Sequence, residues 1–432
     1  MHYDIVIAGG GAGGLELAAA LGRKLGRRLG PEKVLLVDRS LFHIWKPTLH
    51  EVAAGTLDIH QEGLNYSTLA QRNHFSFALG EVEGLDAPAR TLKLKPIIDE
   101  RGELVVPARE VSFTWGVLAI GSGSNFFGTP GATEHANVLE READAEAFRK
   151  KLLTAFTRAA FAERKQLSVA IVGGGATGVE LSAELLESHQ VFLAGVGPQH
   201  RFRLDIAIVE AGPRILAGLP EKISRQATVA LQQKNIRVLT GTKVEAIEHD
   251  RLKTSAGDIE AELIVWAAGI KASEGNVAFG LDTNRIHQFV VNRKLETSAP
   301  GVYAMGDCAA CPLPPGESGH PSFVPARAQA AHQQASYLAK VLLARLKEQV
   351  TDEDFVYRDF GSLVSLGEHK GVGNLMGNLS GTNFFVEGLV AKWMYMSLHI
   401  AHHVAVLGYT HTAVLALARL LHKRVSGRLK LH

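Results

Sequence analysis

Two stretches of the chain share one pattern of apolar and polar positions. Residues 3–21, YDIVIAGGGAGGLELAAAL, pass from a β-branched apolar run through glycines into an Ala/Leu/Glu-rich segment. Residues 168–185, SVAIVGGGATGVELSAEL, do the same. Each predicts a strand, a tight turn and a helix, the opening of a βαβ unit. Such a repeat predicts two related domains rather than a solenoid. Each opening leads to another strand that ends in an acid, KVLLVDRS at Asp38 and DIAIVEAG at Glu210. The apolar runs 114–121, 262–269 and 301–307 predict further buried strands. Residues 140–166 predict a charged amphipathic helix, 327–346 a second helix, and the Pro/Gly-rich stretch 312–322 a loop. Composition shifts after residue 350. The expected class is α/β, with two Rossmann-like dinucleotide-binding domains and a C-terminal amphipathic-helix region. The expected boundaries are 1–125 with 292–345 for the first domain, 126–291 for the second and 346–432 for the last.

The C-terminal pattern differs from the rest. Residues 393–418 contain no Asp, Glu, Lys or Arg, a length that can span a bilayer. Yet Trp393, Met396, Ile400, Val404 and Leu407, then Val414, Leu417, Leu421 and Val425, recur at helical spacing and make one apolar stripe on each of two helices. His399, His402 and His403 share another face, read as the polar side of an interfacial helix rather than a metal site, since no carboxylate or Cys lies nearby. Arg419 and Lys423 are placed on the polar face of the second helix. Gly408 separates the helices. Residues 388–432 carry no acid and six bases, Lys392, Arg419, Lys423, Arg424, Arg428 and Lys430. Two basic amphipathic helices on an anionic membrane surface are expected. A spanning helix is the rival, disfavoured by its histidines and central Gly. A soluble dimer interface is the other alternative.

Composition narrows the class. Of 432 residues, 46% are hydrophobic and 21% charged, which excludes extensive disorder. A net charge of +2 gives no reason to expect nucleic acid. Two cysteines, Cys308 and Cys311, exclude a disulfide-stapled secreted domain. The N-terminus has no basic stretch before its apolar run and carries Asp4, so no signal peptide is expected and a cytoplasmic address is the default.

The glycine motifs carry the chemistry. In Gly9-x-Gly11-x-x-Gly14 the first Gly makes the turn, the second lets a pyrophosphate approach, and the third lets helix and strand pack. The helix N-terminus then receives the anion. Asp38, 24 residues past Gly14, suits an adenosine ribose. Gly173-x-Gly175-x-x-Gly178 repeats this, with Glu210 a longer 32 residues on. A flavin dinucleotide and a nicotinamide dinucleotide are the simplest occupants. Glu210 favours NADH, because a carboxylate repels the 2′-phosphate of NADPH, and nearby Arg214 weakens that preference.

Taken together, GGGAGGLE, HIWKPTLHEVAAGTLD, IVGGGATGVELSAEL, VWAAGIKA, YAMGDCA, PARAQAAHQQA, DFGSLVSLG and the terminal LKLH resemble the bacterial type II NADH:quinone oxidoreductases, the non-pumping NADH dehydrogenases of the two-dinucleotide-binding flavoprotein superfamily. The resemblance spans essentially the whole chain. It implies that FAD is held by Gly9, Gly11, Ala12, Gly14, Asp38, Arg39, Lys46, His50, Val82, Ala119, Gly121, Gly306, Asp307, Ala328 and Gln329. It implies that NADH is held by Gly173, Gly175, Ala176, Thr177, Gly178, Glu180, Glu210, Ala268 and Gly269. Catalytic roles fall to Glu180 beside the nicotinamide, Gln329 and Gln333 at the quinone, and Lys370 near the ring. A membrane quinone, a peripheral location on the cytoplasmic face of the inner membrane and a homodimer are further implications. One departure stands out. Many members read PLLPEVAAG where this chain reads PTLHEVAAG. His50 is then either a flavin neighbour or a satisfied loop histidine, the second being favoured for its ring.

The residues leave alternatives beside the resemblance. Glu180 serves equally as a helix-dipole partner. Gln329 and Gln333, at i and i+4, share a helix face, and on sequence alone they read as solvated glutamines. Cys308-x-x-Cys311 invites a redox dithiol reading, but the structural reading is favoured. A sulfide:quinone oxidoreductase would need cysteines spread through the chain. A disulfide or ferredoxin reductase would have no use for the basic tail. A flavin-containing redox sensor is the alternative outside enzymes.

Overall fold

The computed structural model describes the chain except residues 60–62, 163–164, 316–321, 367–370, 377–382, 388 and 426–432. The first apolar run forms β1 (His2–Ala8), whose last four side chains are fully buried. The turn Gly9–Gly11 opens α1 (Ala12–Lys33), which is broken at Gly26 by non-helical backbone and carries Pro31 beyond the break. Then come β2 (Val34–Asp38), the short α2 (Leu49–Ala54), α3 (Tyr66–Asn73), β3 (Ser76–Leu79), β4 (Val82–Asp86), β5 (Thr91–Leu94) and β6 (Arg109–Leu118). The strands make one sheet in the order β3-β2-β1-β6-β5-β4. Pairing is parallel from β3 to β6 and antiparallel through β5 and β4.

The second repeat builds a second sheet. The charged helix α4 (Glu142–Phe161) precedes β7 (Gln166–Val172), α5 (Ala176–Gly195), β8 (Arg203–Val209), α6 (Glu221–Gln233), β9 (Arg237–Leu239) and β10 (Leu263–Trp266). These four strands are all parallel, in the order β9-β8-β7-β10. β-branched and leucine side chains buried on both faces are what an all-parallel sheet between helices requires. The chain then returns to the first sheet. β11 (Val302–Ala304) pairs in parallel with β6, and α7 (Ala328–Arg345) packs on α1. Each repeat has its own buried core.

The cores are stitched by elements from outside them. α2 lies within the first unit's stretch of sequence but packs on α4 and α5, and Leu49, Val52 and Ala53 join the second core. The C-terminal region opens with an antiparallel sheet of β12 (Ser362–Ser365), β13 (Gly371–Met376) and β14 (Asn383–Glu387). Val364 and Leu366 bury in the second core. Then α8 (Leu389–Leu407) and α9 (Tyr409–Val425) meet at Gly408, whose φ of 77° ends the first helix. Val406 and Leu407 bury in the first core. Among the described residues no helix is long and apolar enough to cross a membrane.

The expected polar histidine face of α8 is corrected here. His402 and His403 are 2% and 4% exposed and point into the protein. Arg419 also turns inward, its Nη2 standing 3.3 Å from His403 Nε2. The exposed side of these helices instead carries Ile400, Tyr409, Val414, Leu417 and Leu421. The side chains of Trp393, Met396, Lys392, Lys423, Arg424 and Val425, together with residues Arg428 and Lys430, lie outside those described.

Candidate functional site

The two glycine turns are built alike. In the first, Gly9 has φ +103°, and a Cβ there would lie 2.3 Å from the Ala119 carbonyl oxygen. A Cβ on Gly14 would lie 1.9 Å from the Gly9 oxygen. Both positions therefore exclude any side chain. A Cβ on Gly11 would meet no protein atom within 4 Å. In the second turn Gly173 and Gly178 are crowded in the same way, and Gly175 again faces open space. Close packing at the first and third glycines with room at the second is the arrangement that admits a pyrophosphate at a helix N-terminus. Ala12, and Ala176 with Thr177, form the first turns of α1 and α5.

The acids at the ends of β2 and β8 brace these turns. Gly10 N–H donates to Asp38 Oδ2 at 2.6 Å and Ser40 N–H to Oδ1 at 2.8 Å. Gly174 N–H donates to Glu210 Oε2 at 2.7 Å and Gly212 N–H to Oε1 at 2.6 Å. Burial raises the Asp38 pKa against those hydrogen bonds. Beside Asp38 opens a cleft with about 740 Å³ of empty volume, part of it open to solvent, which Gly9, Arg39 and Val82 help to line. Gly173 and Gly9 each follow a buried strand, so the two turns present the same cradle geometry. Lys46 Nζ donates to the Ser122 carbonyl at 3.0 Å, and the Ser122 hydroxyl donates to Asp307 Oδ2 at 3.0 Å. That links the Lys46 turn, the Gly121 turn and the MGD segment around one space. Gly306 N–H donates to Gln334 Oε1 at 2.7 Å. Gln334 is buried and was not among the expected residues, although it adjoins Gln333. Ala268 and Gly269 follow β10, with Gly269 at φ +67°.

Glu180 lies two residues past Gly178 on α5 and is 6% exposed. Its Oε1 accepts from Ser365 N–H of β12 at 3.0 Å. Burial pushes its pKa up to about 8, and the charges of Glu51 and Glu184 add to the rise, while the Ser365 hydrogen bond opposes it. A carboxyl held neutral near pH 7 can carry a proton. His50 sits on α2 with Nδ1 3.8 Å from Glu180 Oε2. The loop expectation for His50 is corrected. The residue is helical and 3% exposed, and its Nε2 has no hydrogen-bond partner among the described residues. Burial drops its pKa to about 4, so the ring is neutral.

Gln329 and Gln333 share one face of α7, and both amides hold the same segment. Gln329 Nε2 donates to the Gly361 carbonyl at 3.0 Å and to Asp359 Oδ1 at 3.3 Å, and its Oε1 accepts from Phe360 N–H at 3.3 Å. Gln333 Nε2 donates to the Arg358 carbonyl at 2.8 Å and its Oε1 accepts from Arg358 N–H at 2.9 Å. They are paired with backbone rather than solvated. Ala328 begins the same helix. Lys370 lies outside the described residues. Cys308 and Cys311 are both free thiols and buried. Burial pushes the two pKa values up to about 11 and about 12, and Cys308 Sγ donates to backbone carbonyls of Leu118 and Met305. Inert structural thiols have that environment.

Comparison with known proteins agrees with this geometry. Residues 3–335 match the pyridine nucleotide-disulphide oxidoreductase family. The type II NADH:quinone oxidoreductase of Haemophilus influenzae is 38% identical over 99% of this chain and 100% of its own length. The chain belongs to the type II NADH:quinone oxidoreductases. External NADH-ubiquinone oxidoreductase 2 of Saccharomyces cerevisiae mitochondria is 26% identical, covering 92% of this chain and 77% of its own. Among solved structures, NDH2 from Plasmodium falciparum in complex with NADH superposes with a TM-score of 0.81 over 99% of both chains at 19% identity. A sulfide:quinone oxidoreductase from Aquifex aeolicus shares the fold, with a TM-score of 0.72 over 98% of this chain and 95% of that one at 16% identity.

Proposed function

We infer that the protein is an FAD-dependent NADH:quinone oxidoreductase that pumps no ions. The full-length identity to a type II NADH:quinone oxidoreductase carries this reading. Two acid-braced glycine turns in one chain agree with it. The balance is NADH, one proton and quinone going to NAD⁺ and quinol. FAD, when bound, accepts the hydride and passes on two electrons. The protein's part is to hold donor and acceptor against it. The unit made of 1–125 and 292–345 takes FAD, with its pyrophosphate on the Gly9–Gly14 turn, its ribose on Asp38 and its ribityl chain at Asp307. The unit 126–291 takes NADH on the Gly173–Gly178 turn, with the ribose on Glu210. Glu180 stands at the nicotinamide end as a neutral, proton-bearing acid. Gln329 and Gln333 face the quinone, which enters beneath the tail helices. Their amides now bind residues 358–361, so that segment shifts when quinone docks.

The region 346–432 is the membrane-facing part, on the cytoplasmic side of the inner membrane. The exposed stripe of Ile400, Val414, Leu417 and Leu421 supports this. Substituting Leu417 and Leu421 by Glu should release the protein from anionic liposomes. Unchanged co-sedimentation would count against the surface. The dithiol alternatives are disfavoured, because both thiols are buried and shifted away from thiolate.

The deciding experiment is anaerobic absorbance. NADH should bleach the flavin band and a short-chain quinone should restore it. Bleaching without recovery would move the acceptor to a disulfide, ferredoxin or oxygen. No bleaching in flavin-loaded protein would overturn the reading of the second turn.

A further inference from the structure

Glu16 is a buried carboxylate for which the reaction above has no use. It lies two residues past Gly14 on α1 and is 5% exposed. Both of its oxygens are taken by histidines from distant parts of the chain. Oε1 pairs with His402 Nδ1 of α8 at 2.6 Å, and Oε2 pairs with His332 Nδ1 of α7. The chain continues. His402 Nε2 is 2.9 Å from His43 Nε2, and His43 Nδ1 is 3.0 Å from the Gly10 carbonyl oxygen. Tyr66 donates its hydroxyl to the same oxygen at 2.6 Å.

Counting donors fixes the protons. A carbonyl only accepts, so His43 must carry its hydrogen on Nδ1. Burial holds the His43 pKa well below the ordinary histidine value, so the ring is neutral and Nε2 is a lone pair. His402 must then donate from Nε2. Glu16 Oε1 takes up the other ring nitrogen of His402, Nδ1, in a hydrogen bond. A buried acid satisfied in this way is not costly, whereas the same acid with a partner removed is.

The far end of the chain is the Gly10 peptide. Its N–H is held by Asp38 and its carbonyl by Tyr66 and His43. The near end is α8, which is docked independently. Arg23 Nη2 donates to the Ala405 carbonyl at 2.7 Å, and Asn73 Nδ2 to the Val406 carbonyl at 3.0 Å. These satisfy carbonyls at the helix C-terminus that would otherwise lack partners. The C-terminal helix is therefore part of the wall behind the first glycine turn.

We propose that Glu16, His402 and His43 are positioning residues for the flavin dinucleotide, through which the C-terminal helix sets the Gly10 peptide and with it the anion-binding turn. This rests on the assignment of FAD to that turn. Pre-orienting the N–H groups before the pyrophosphate arrives is what makes such a cradle tight. Losing one link should therefore weaken cofactor retention without touching the second turn.

The test is FAD release from the full-length holoenzyme, followed by the rise of free-flavin fluorescence on dilution. Glu16→Leu and His402→Leu keep the volume and remove the hydrogen bonds. Each should release FAD roughly tenfold faster or more, the scale of one lost buried hydrogen bond. Glu16→Gln should stay within about twofold, because an amide still donates to His402 and accepts from His332. NADH affinity, measured by calorimetry, should be the same in all three. Wild-type release from His402→Leu would overturn the proposal. So would a Glu16→Gln as leaky as Glu16→Leu, which would reduce the role to charge or packing. Should Glu16→Leu not fold, amide exchange of the Ala8–Glu16 peptide in His402→Leu decides. Faster exchange confined to that peptide supports the link, and unchanged exchange refutes it. A wild-type protein that holds no FAD at all would instead sink the flavin assignment, and this inference with it.

Discussion

Glu16 and Glu180 occupy the same place in the two repeats, two residues past the third glycine, and both are buried. Their surroundings drive them in opposite directions. Burial raises the pKa of each. At Glu16 the hydrogen bonds and charges of His332 and His402 more than offset it, and the net shift is downward. At Glu180 the Ser365 N–H opposes burial, other carboxylates add to the rise, and the value reaches about 8. One motif position therefore yields a structural carboxylate in the first unit and a proton-bearing acid in the second. The difference comes from which distant elements close over it, α7 and α8 in one case and β12 in the other.

The largest expected effect separates the two cradles. Gly14→Ala puts a Cβ against the Gly9 oxygen and should abolish flavin incorporation. Gly178→Ala does the same at Gly173 and should leave a yellow protein whose KM for NADH rises by roughly a hundredfold, as misplacement of a bound reactant costs. Flavin spectra and steady-state kinetics read both. Equal loss of flavin in the two variants would undo the assignment of one ligand to each turn.

Glu180 should next reveal itself in a pH profile. With a pKa near 8, kcat/KM for NADH should change between about pH 7 and 9. Glu180→Gln should remove that inflection while keeping measurable hydride transfer. Stability carries the same sign. The folded carboxyl stays protonated where the unfolded one ionises, so wild type should lose stability from about pH 4.5 up to about 8 relative to Glu180→Gln. Thermal melts at pH 5 and pH 8 test it.

Smaller effects follow. Gln329→Ala should slow flavin reoxidation by quinone several-fold and leave flavin reduction by NADH alone, which stopped-flow separates. Equal slowing of both would place Gln329 elsewhere. Glu210→Gln should raise the NADPH-to-NADH ratio of kcat/KM several-fold, since one repulsive charge on the 2′-phosphate is removed. An unchanged ratio would leave Arg214 or the turn itself as the determinant. The smallest lies at low pH. The Glu16 pKa is lowered, so its stabilisation is present above the unfolded value of 4.5 and is lost as pH falls below it. Wild type should therefore lose its advantage over Glu16→Leu progressively in melts taken at falling pH below 4.5.

Much of the first level was written locally. A β-branched run, a glycine turn and a terminal acid lie within a few dozen residues, and backbone sterics alone dictate their geometry. Asp38 and Glu210 end their strands beside the turns, even with the longer gap before Glu210, and the structure adds hydrogen bonds to the turn backbone that the spacing did not name. The histidine face of α8 is the opposite case. Helical periodicity correctly grouped His402 and His403 but could not say what would cover them, and polar residues beside an apolar stripe read as solvent-facing. Glu16 and His402 are 386 residues apart, and nothing short-range couples them. His50 was misplaced for a similar reason, because the helix that carries it packs against the other core.

Sequence alone therefore determined the paired strand–turn–helix openings, the acids that end the following strands, and the helical periodicity of the tail. Those are properties of residue type at short separation. Tertiary structure decided the protonation of Glu16 and Glu180, the partners of Gln329 and Gln333, and the inward turn of the α8 histidines. Each depends on partners outside its own element: Glu16 and Glu180 meet groups 386 and 185 residues away, the glutamines a segment beyond the end of their helix, and burial changes the free energy of a charge far more than its immediate neighbours in sequence do.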